Sequence, residues 1–364
     1  MTEREPDANH PLRGPVLGIE TSCDETAAAV LAPNGNVLAD AVLSQREHVA
    51  FAGVVPEIAA RAHLTHLPAL IGEVMASAGL RFKDLAAVAA TSGPGLIGGL
   101  IVGSGLGKGI CLAHQVPFVA VNHLEAHALT ARLPGLVADG LAFPYLLLLL
   151  SGGHCQCVAV EGVGHYTVLG GTIDDAVGEA FDKVAKLLGL GWPGGPALEQ
   201  FARGGDPSRI LLPRPLLGRP GCDFSFSGLK TAVAQRVTAH ARGPLPTRDA
   251  MDLAAAFQEA VTDVLADRAD HAMATFAAAH DARAMVVAGG VAANARLRAA
   301  LAEAAARRNF KLIAPPMKLC GDNAVMVAWA GIERIRIGLV DRIDHAPRPR
   351  WPLSGLTLGS GWAA

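Results

Sequence analysis

Residues 145–150 read YLLLLL, an unbroken apolar run between Pro144 and Ser151-Gly152-Gly153. It is far too short to span a membrane and shows no polar alternation, so it reads as a buried strand. A small polar turn follows, and then CQCVAVEG returns as a second strand and HYTVLGGTID supplies a third. The chain opens on the same plan. VLGIE (16–20) is strand-like, TSCDET turns, AAAVLA returns and NVLADAVLSQ (36–45) adds a third strand. The two stretches share no obvious identity. They share a strand–turn–strand layout with Ser and Gly or acidic groups at the first turn.

Helical patterns follow each meander, at 56–78, 98–114 and 122–133, then at 174–188, 252–279, 293–308 and 322–338. AAVAATSGPG and AMVVAGGVAAN are short strands running into Gly-rich turns before helices, which is the α/β pattern. A chain of 364 residues is long for one compact domain. The expectation is two α/β domains with a ligand cleft between them. Residues 1–15 read as a flexible polar leader, 16–142 as the first domain, 143–325 as the second, and 326–364 as a helix plus a tail.

Net charge is -2, which excludes a generally basic nucleic-acid coat. The six cysteines form no CxxC pair and read as reduced thiols in a cytoplasmic protein. The Pro- and Gly-rich segment 203–242 carries seven basic residues against Asp206 and Asp223, a local excess that suits contact with RNA. Arg203, Arg214 and Arg219 are its candidate contacts.

In NHLEAH (122–127), Asn122 is a plausible helix N-cap, and His123 and His127 stand four apart on one helix face. The spacing suits two ligands of one ion and equally suits two polar residues on a helix. CGDNAVM (320–326) offers Asp322 as a third ligand, or as an acid at a helix start. The pattern is not the protease motif HExxH. Glu125 sits two residues after His123, about 200° around the helix, away from the ligand side.

GSGLGKG (103–109) fails as a phosphate-binding loop, with Val102 and Gly109 where Gly and Ser or Thr are required, and reads as a closely packed helix. SGGH (151–154) is an anion-binding turn or a plain hairpin. AGGVAAN (288–294) is a ribose or purine site or an ordinary strand-to-helix turn. In DDAVGEAFDK (174–183) the acids suit a helix start, while Asp182 lies deeper and needs a partner such as ribose hydroxyls. PGGPALE (193–199) reads as a rigid loop able to wall a base.

Together with GIETSCDETAAAV (18–30), GVVPEIAARAH (53–63), TSGPGLIGGLIVG (91–103) and FSFSGLK (224–230), these motifs resemble the bacterial TsaD family over roughly residues 16–335. The resemblance implies an α/β fold of the actin/Hsp70/sugar-kinase type, two RNase-H-like domains around a nucleotide cleft. It implies transfer of a threonylcarbamoyl group from threonylcarbamoyl-AMP to N6 of adenosine 37 in tRNAs that read codons beginning with adenine, with release of AMP. It further implies His123, His127 and Asp322 as ligands of one divalent metal, Fe²⁺ before Zn²⁺. Leu149, Leu150, Ser151, Gly152, Gly153, Asp182, Gly195, Glu199 and Asn294 become adenylate contacts. Asp24 and Glu25 fill an acidic turn beside the reacting centre, one of them a candidate proton acceptor. TsaB-type and TsaE-type proteins become partners, and a TsaC-type synthase the source of the adenylate. A non-catalytic nucleotide-binding partner of the same fold would lack the His–His–Asp set, and a small-molecule kinase of that fold is a further alternative. The chain departs from the family at Phe51–Ala52, at Gly105–Leu106–Gly107 and at Gly321. The tail 340–364 lies outside the resemblance.

Overall fold

The computed structural model describes residues 12–45, 47–48, 53–138, 140–239 and 245–356. Most of the expected leader, Phe51–Ala52, Arg242 and the last eight residues lie outside them. The chain divides into two compact units. Unit 1 holds Met1–Ala142, Gly162–Tyr166 and Asp322–Ala364, and unit 2 holds Phe143–Glu161 and Thr167–Gly321.

Unit 1 carries strands β1 (Val16–Glu20), β2 (Glu25–Leu31), β3 (Val37–Ser44), β4 (Ala87–Gly93) and β5 (Phe118–Asn122) in the order β3-β2-β1-β4-β5. β1–β2 and β2–β3 are antiparallel, whereas β4 and β5 join in parallel. Unit 2 repeats this with β6 (Tyr145–Leu150), β7 (Cys155–Gly162), β8 (His165–Gly171), β9 (Ala284–Ala288) and β10 (Lys311–Ile313) in the order β10-β9-β6-β7-β8. Each unit is thus an RNase-H-like meander extended by two parallel strands, and the pair is an α/β fold of the actin/Hsp70/sugar-kinase type. β6 is the five-leucine run. It sits in mid-sheet, flanked by β7 and β9, and all six of its residues are buried.

In unit 1 the helices are α1 (Pro56–Ser77), α2 (Ile97–His114), α3 (His123–Thr130) and α9 (Ala324–Arg336). Strand alternation sorts two of them to opposite faces. A Cβ on Gly331 of α9 would meet Ala89, and one on Gly107 of α2 would meet Val88 and Ala90. α9 approaches β1 closely at Gly18, where a Cβ would stand 2.3 Å from the Ala324 carbonyl oxygen. α2 is long and apolar enough to cross a membrane by length and composition. Here it packs on β4 and α1 as a core helix.

In unit 2 the helices are α4 (Val177–Leu187), α5 (Gly194–Ala202), α6 (Ser227–Ala239), α7 (Thr247–Ala279) and α8 (Ala295–Arg307). PGGPALE is therefore a helix start, not a loop. Its poor helix formers are overridden by packing against α4 and α7, with Leu198 and Ala202 buried. The segment 203–242 likewise ends in α6 rather than staying irregular. β5, β10, α5 and α6 escaped sequence reading because each is short or carries a weak apolar period.

The glycine-rich helix α2 is packed closely only in part. A Cβ on Gly103 would stand 2.1 Å from Thr21 Oγ1, whereas nothing lies within 4 Å of one on Gly105. Gly103→Ala is expected to lower unit 1 stability by about 1–3 kcal/mol, and Gly105→Ala to leave it unchanged or raise it by up to about 1 kcal/mol. Urea unfolding of the full chain measures both, and equal effects at the two positions would contradict the packing.

Candidate functional site

α3 begins directly after β5. Asn122 caps it, its Oδ1 accepting from the Leu124 and Glu125 amides at 2.9 and 3.3 Å. His123 and His127 follow on one face, both buried, with ring centroids 4.7 Å apart. α9 starts in the same way. Asn323 caps it by accepting from the Met326 amide, and Asp322 stands one residue before the cap. Asp322 Oδ1 lies 3.4 Å from His123 Nε2 and 3.1 Å from His127 Nε2. All three residues belong to unit 1, so no closure of domains is needed to assemble them.

These three side chains offer ligand atoms that all lie within 4.8 Å of one another. Two donors each about 2.1 Å from one ion sit about 3.0–3.4 Å apart at octahedral or tetrahedral angles. The donor set and its spacing fit a divalent cation.

Glu20, not singled out from sequence, sits beneath them. Fully buried, its carboxylate accepts from the Ser22 amide at 2.6 Å and the Thr91 hydroxyl at 2.5 Å, and lies 3.1 Å from His123 Nδ1. With a proton on Nδ1 donated to Glu20, Nε2 of His123 is left as an electron-pair donor on the Asp322 side. A Glu at a strand end, followed by a polar turn, was the available signal. His127 has no such support: its Nδ1 is buried without a hydrogen-bond partner.

Burial disfavours charge on His123, Asp322 and Glu20, and their pairing overrides it. His123 is raised well above the usual imidazole range, because Asp322 and Glu20 outweigh its desolvation. Asp322 is desolvated too, yet His123 and His127 hold it well below the carboxylate range. Glu20 is lowered against its own burial, chiefly by His123.

Glu25 goes the other way. Burial first, then Asp322 and Asp24, push it up to about 9. At neutral pH without a cation nearby it carries a proton, so in the metal-free protein it is no proton acceptor in the acidic turn. His63 of α1 steadies that turn by a 2.9 Å hydrogen bond from Nε2 to the Cys23 carbonyl.

Glu125 is engaged elsewhere. It is fully buried, and its carboxylate accepts from Arg334, the Tyr166 hydroxyl and the Gly164 amide. It is a structural ion-pair partner, which removes the general base a metalloprotease would need.

Unit 2 holds a cavity of ≈ 250 Å³ lined by Gly152, Asp182, Gly195, Glu199 and Asn294 among the expected residues. Pro193 and Pro196 of PGGPALE and Val291 of AGGVAAN add apolar walls, as does Phe181, which the sequence did not single out. Asp182 accepts from the Gly194 amide at 3.0 Å, Glu199 accepts from the Ala295 amide, and Asn294 caps α8 while donating to Gln258. Leu149, Leu150, Ser151 and Gly153 are not among the lining residues. The two leucines are fully buried in β6. Ser151 Oγ accepts from the His154 amide, so SGGH forms the β6–β7 hairpin turn and presents Gly152 to the cavity.

Asp174 does not cap α4. It holds the start of α6, accepting from the Ser225 hydroxyl and the Phe226 and Ser227 amides. Asp175 pairs with Lys183 and Lys230.

The basic excess of 203–242 shrinks in three dimensions. Arg209 pairs with Asp252 and Arg214 with Asp263, acids from α7 that a count within the segment omits. Arg214 is thereby withdrawn as an RNA contact, while Arg203, Arg219 and Arg236 remain exposed.

Comparison with known proteins agrees with the site's chemistry. The family model described as "TsaD: tRNA N6-adenosine threonylcarbamoyltransferase" matches residues 36–329. A Granulibacter bethesdensis protein of that enzyme name is 66% identical, covering 93% of this chain and 94% of its own. One from Rhodospirillum rubrum is 61% identical over 93% and 94%. Among solved structures, HypF of T. kodakarensis aligns with a TM-score of 0.57 at 15% identity, covering 89% of this chain and 48% of its own, a likeness of fold alone.

The raised Glu25 carboxyl has a measurable consequence. Its native pKa of about 9 exceeds its ordinary value of 4.5, so between those values the native state binds more protons than the unfolded one. Stability of the metal-free protein then falls as pH rises through that window. In chelator-treated protein, Glu25→Gln should remove part of this slope and leave the variant the more stable form at pH 8. Parallel pH–stability curves for the two proteins would contradict the burial argument.

Proposed function

We propose a function from one premise: the chain belongs to the TsaD family of tRNA N6-adenosine threonylcarbamoyltransferases. It transfers a threonylcarbamoyl group from threonylcarbamoyl-AMP to N6 of adenosine 37 in tRNAs that read codons beginning with adenine. The bond from N6 to the carbamoyl carbon forms, the bond from that carbon to the phosphate oxygen breaks, N6 gives up a proton, and AMP leaves. The single observation that carries the reading, beside membership, is the His123–His127–Asp322 cluster, two buried imidazoles against a half-buried carboxylate. A non-catalytic partner of the same fold would have no use for it.

In unit 2, Gly152, Asp182, Gly195, Glu199 and Asn294 hold the adenylate. Pro193, Pro196 and Val291 supply apolar walls for a base, and the carboxylates of Asp182 and Glu199 suit ribose hydroxyls. In unit 1, His123, His127 and Asp322 hold one divalent ion, Fe²⁺ before Zn²⁺ by the imidazole–carboxylate donor set. When bound, that ion supplies a Lewis acid for substrate oxygens. Asp24 accepts the N6 proton, and His63 keeps its turn in place. With AMP as the leaving group, orienting the weak amine is the larger task.

The tRNA contact draws on the exposed Arg203, Arg219 and Arg236. TsaB-type and TsaE-type proteins are the partners. Leu64, Ile97 and Ile101 are large exposed apolar side chains on α1 and α2, and a protein partner covering them would gain most from that burial. The protein works in the cytoplasm, where tRNA and the adenylate meet.

The test is mass spectrometry of nucleosides from tRNA incubated with the purified protein, its partners and threonylcarbamoyl-AMP. N6-threonylcarbamoyladenosine should form only when this chain is present. Its absence from the complete mixture would overturn the proposal.

The two sites should also separate by mutation. His127→Ala is expected to lose most bound metal and most transfer, while AMP binding persists. Asp182→Ala is expected to weaken AMP binding by about 10-fold or more while metal content holds, since it removes a hydrogen-bonding carboxylate from the cavity. Calorimetry and plasma mass spectrometry read the two effects. Either variant losing both functions together would contradict the assignment to separate units.

A further inference from the structure

The chain after α9 carries no expected function, and the family model ends at 329. In the structure it is fastened repeatedly to the first sheet. The Asp341 amide donates to the Phe118 carbonyl at 2.9 Å, and its Oδ2 accepts from the Ala120 amide at 2.9 Å. Lys108 of α2 donates to the His345 carbonyl. The Arg348 amide donates to the Ser92 carbonyl at 2.7 Å, and the Gly95 amide donates to the Pro349 carbonyl at 3.2 Å. At Gly93, with φ +145°, a Cβ would stand 1.9 Å from the Arg348 carbonyl oxygen, so the strand end is shaped to let the tail pass. Trp351 and Leu353 are then buried at 7% and 2% exposure. Residues 341–353 form a strap that starts beside Phe118 at the beginning of β5 and ends over the C-terminal ends of β4 and β5.

The strap's last fastening reaches the helix of the histidine pair. Asn122 Nδ2 donates to the Trp351 carbonyl at 2.8 Å, while its Oδ1 caps α3. Asn122 is fully buried, so both ends of its amide need partners. Ser, Thr and Asp cap helices equally well. Only the amide can accept at one end and donate at the other across this span.

We infer that the strap is a positioning device for the metal centre: the Trp351 carbonyl fixes the Asn122 amide, Asn122 fixes the first turn of α3, and α3 carries His123 in that turn and His127 one turn further on. The inference rests on the metal reading above and adds to it two positioning residues, Asn122 and Trp351. A strap that merely added stability would leave the histidines' geometry and metal affinity unchanged at temperatures where the protein is folded.

The experiment uses the full-length chain, stripped of metal and titrated with Co²⁺ against a chromogenic chelator. The visible bands of bound Co²⁺ report ligand geometry, and amide hydrogen exchange of residues 123–130 reports the first turn without any metal. Asn122→Ser keeps a capping oxygen and loses the amide donor. Trp351→Ala loosens the strap, and Trp351→Phe keeps a buried ring. Asn122→Ser and Trp351→Ala should each weaken Co²⁺ affinity about 10–100-fold, in line with loss of outer-shell support. Both should alter the bands and speed exchange, and the double variant should be little worse than the worse single one. Trp351→Phe should restore affinity and bands. Wild-type affinity and bands in Trp351→Ala would overturn the inference, and so would unchanged exchange at 123–130. A wild type that takes up no Co²⁺ overturns the metal reading, and the strap's hold on α3 then stands or falls on exchange alone.

Discussion

The close approach of α9 to β1 at Gly18 governs the site in unit 1. With no Cβ there, the Ala324 carbonyl and the Ala328 amide come within 2.3 and 2.6 Å of where one would be. Asp322 lies two residues before this helix, so seating α9 against the strand delivers the carboxylate to the histidines of α3. Side chains 195 residues apart in sequence end 3.1 Å apart. Two asparagine caps finish the alignment, Asn122 just before His123 and Asn323 just after Asp322. His123 and Asp322 stand at helix starts, where the backbone is pinned by the cap rather than left to fray, and His127 follows one turn into α3.

Charge then decides what the arrangement can hold. Glu20, Glu25 and Asp322 are gathered with Asp24 around two imidazoles, Glu20 and the histidines buried and the other three acids half-buried. Gathering like charges out of water is unfavourable unless opposite charge offsets it. The protein answers in two ways on its own, raising His123 and protonating Glu25. A divalent cation answers more fully. Three side chains are placed to hold one, Glu20 orients His123 beside them, and the turn of Asp24 lies within the same unit.

Much of this was legible in the sequence, and the reasons are local. Both meanders showed in their apolar runs, and β1 matches VLGIE residue for residue. The histidine pair and its cap are encoded within six residues. Asp322 could be named only as a candidate, because nothing local says which distant helix lands beside α3. Glu20 and the tail stayed silent because their partners are long-range: Thr91 and His123 for Glu20, Ser92 and Asn122 for the tail. The same blindness inflated the basic segment, whose arginines meet acids on α7. It also hid α5, where Gly194, Gly195 and Pro196 argue against a helix and only packing against α4 and α7 makes one.

X-ray absorption at the edge of the metal bound to the purified protein tests the central claim most directly. The account predicts a first shell of nitrogen and oxygen at about 2.0–2.2 Å with the outer-shell scattering of two imidazoles. A sulfur shell at about 2.3 Å, or a first shell without imidazole, would contradict it.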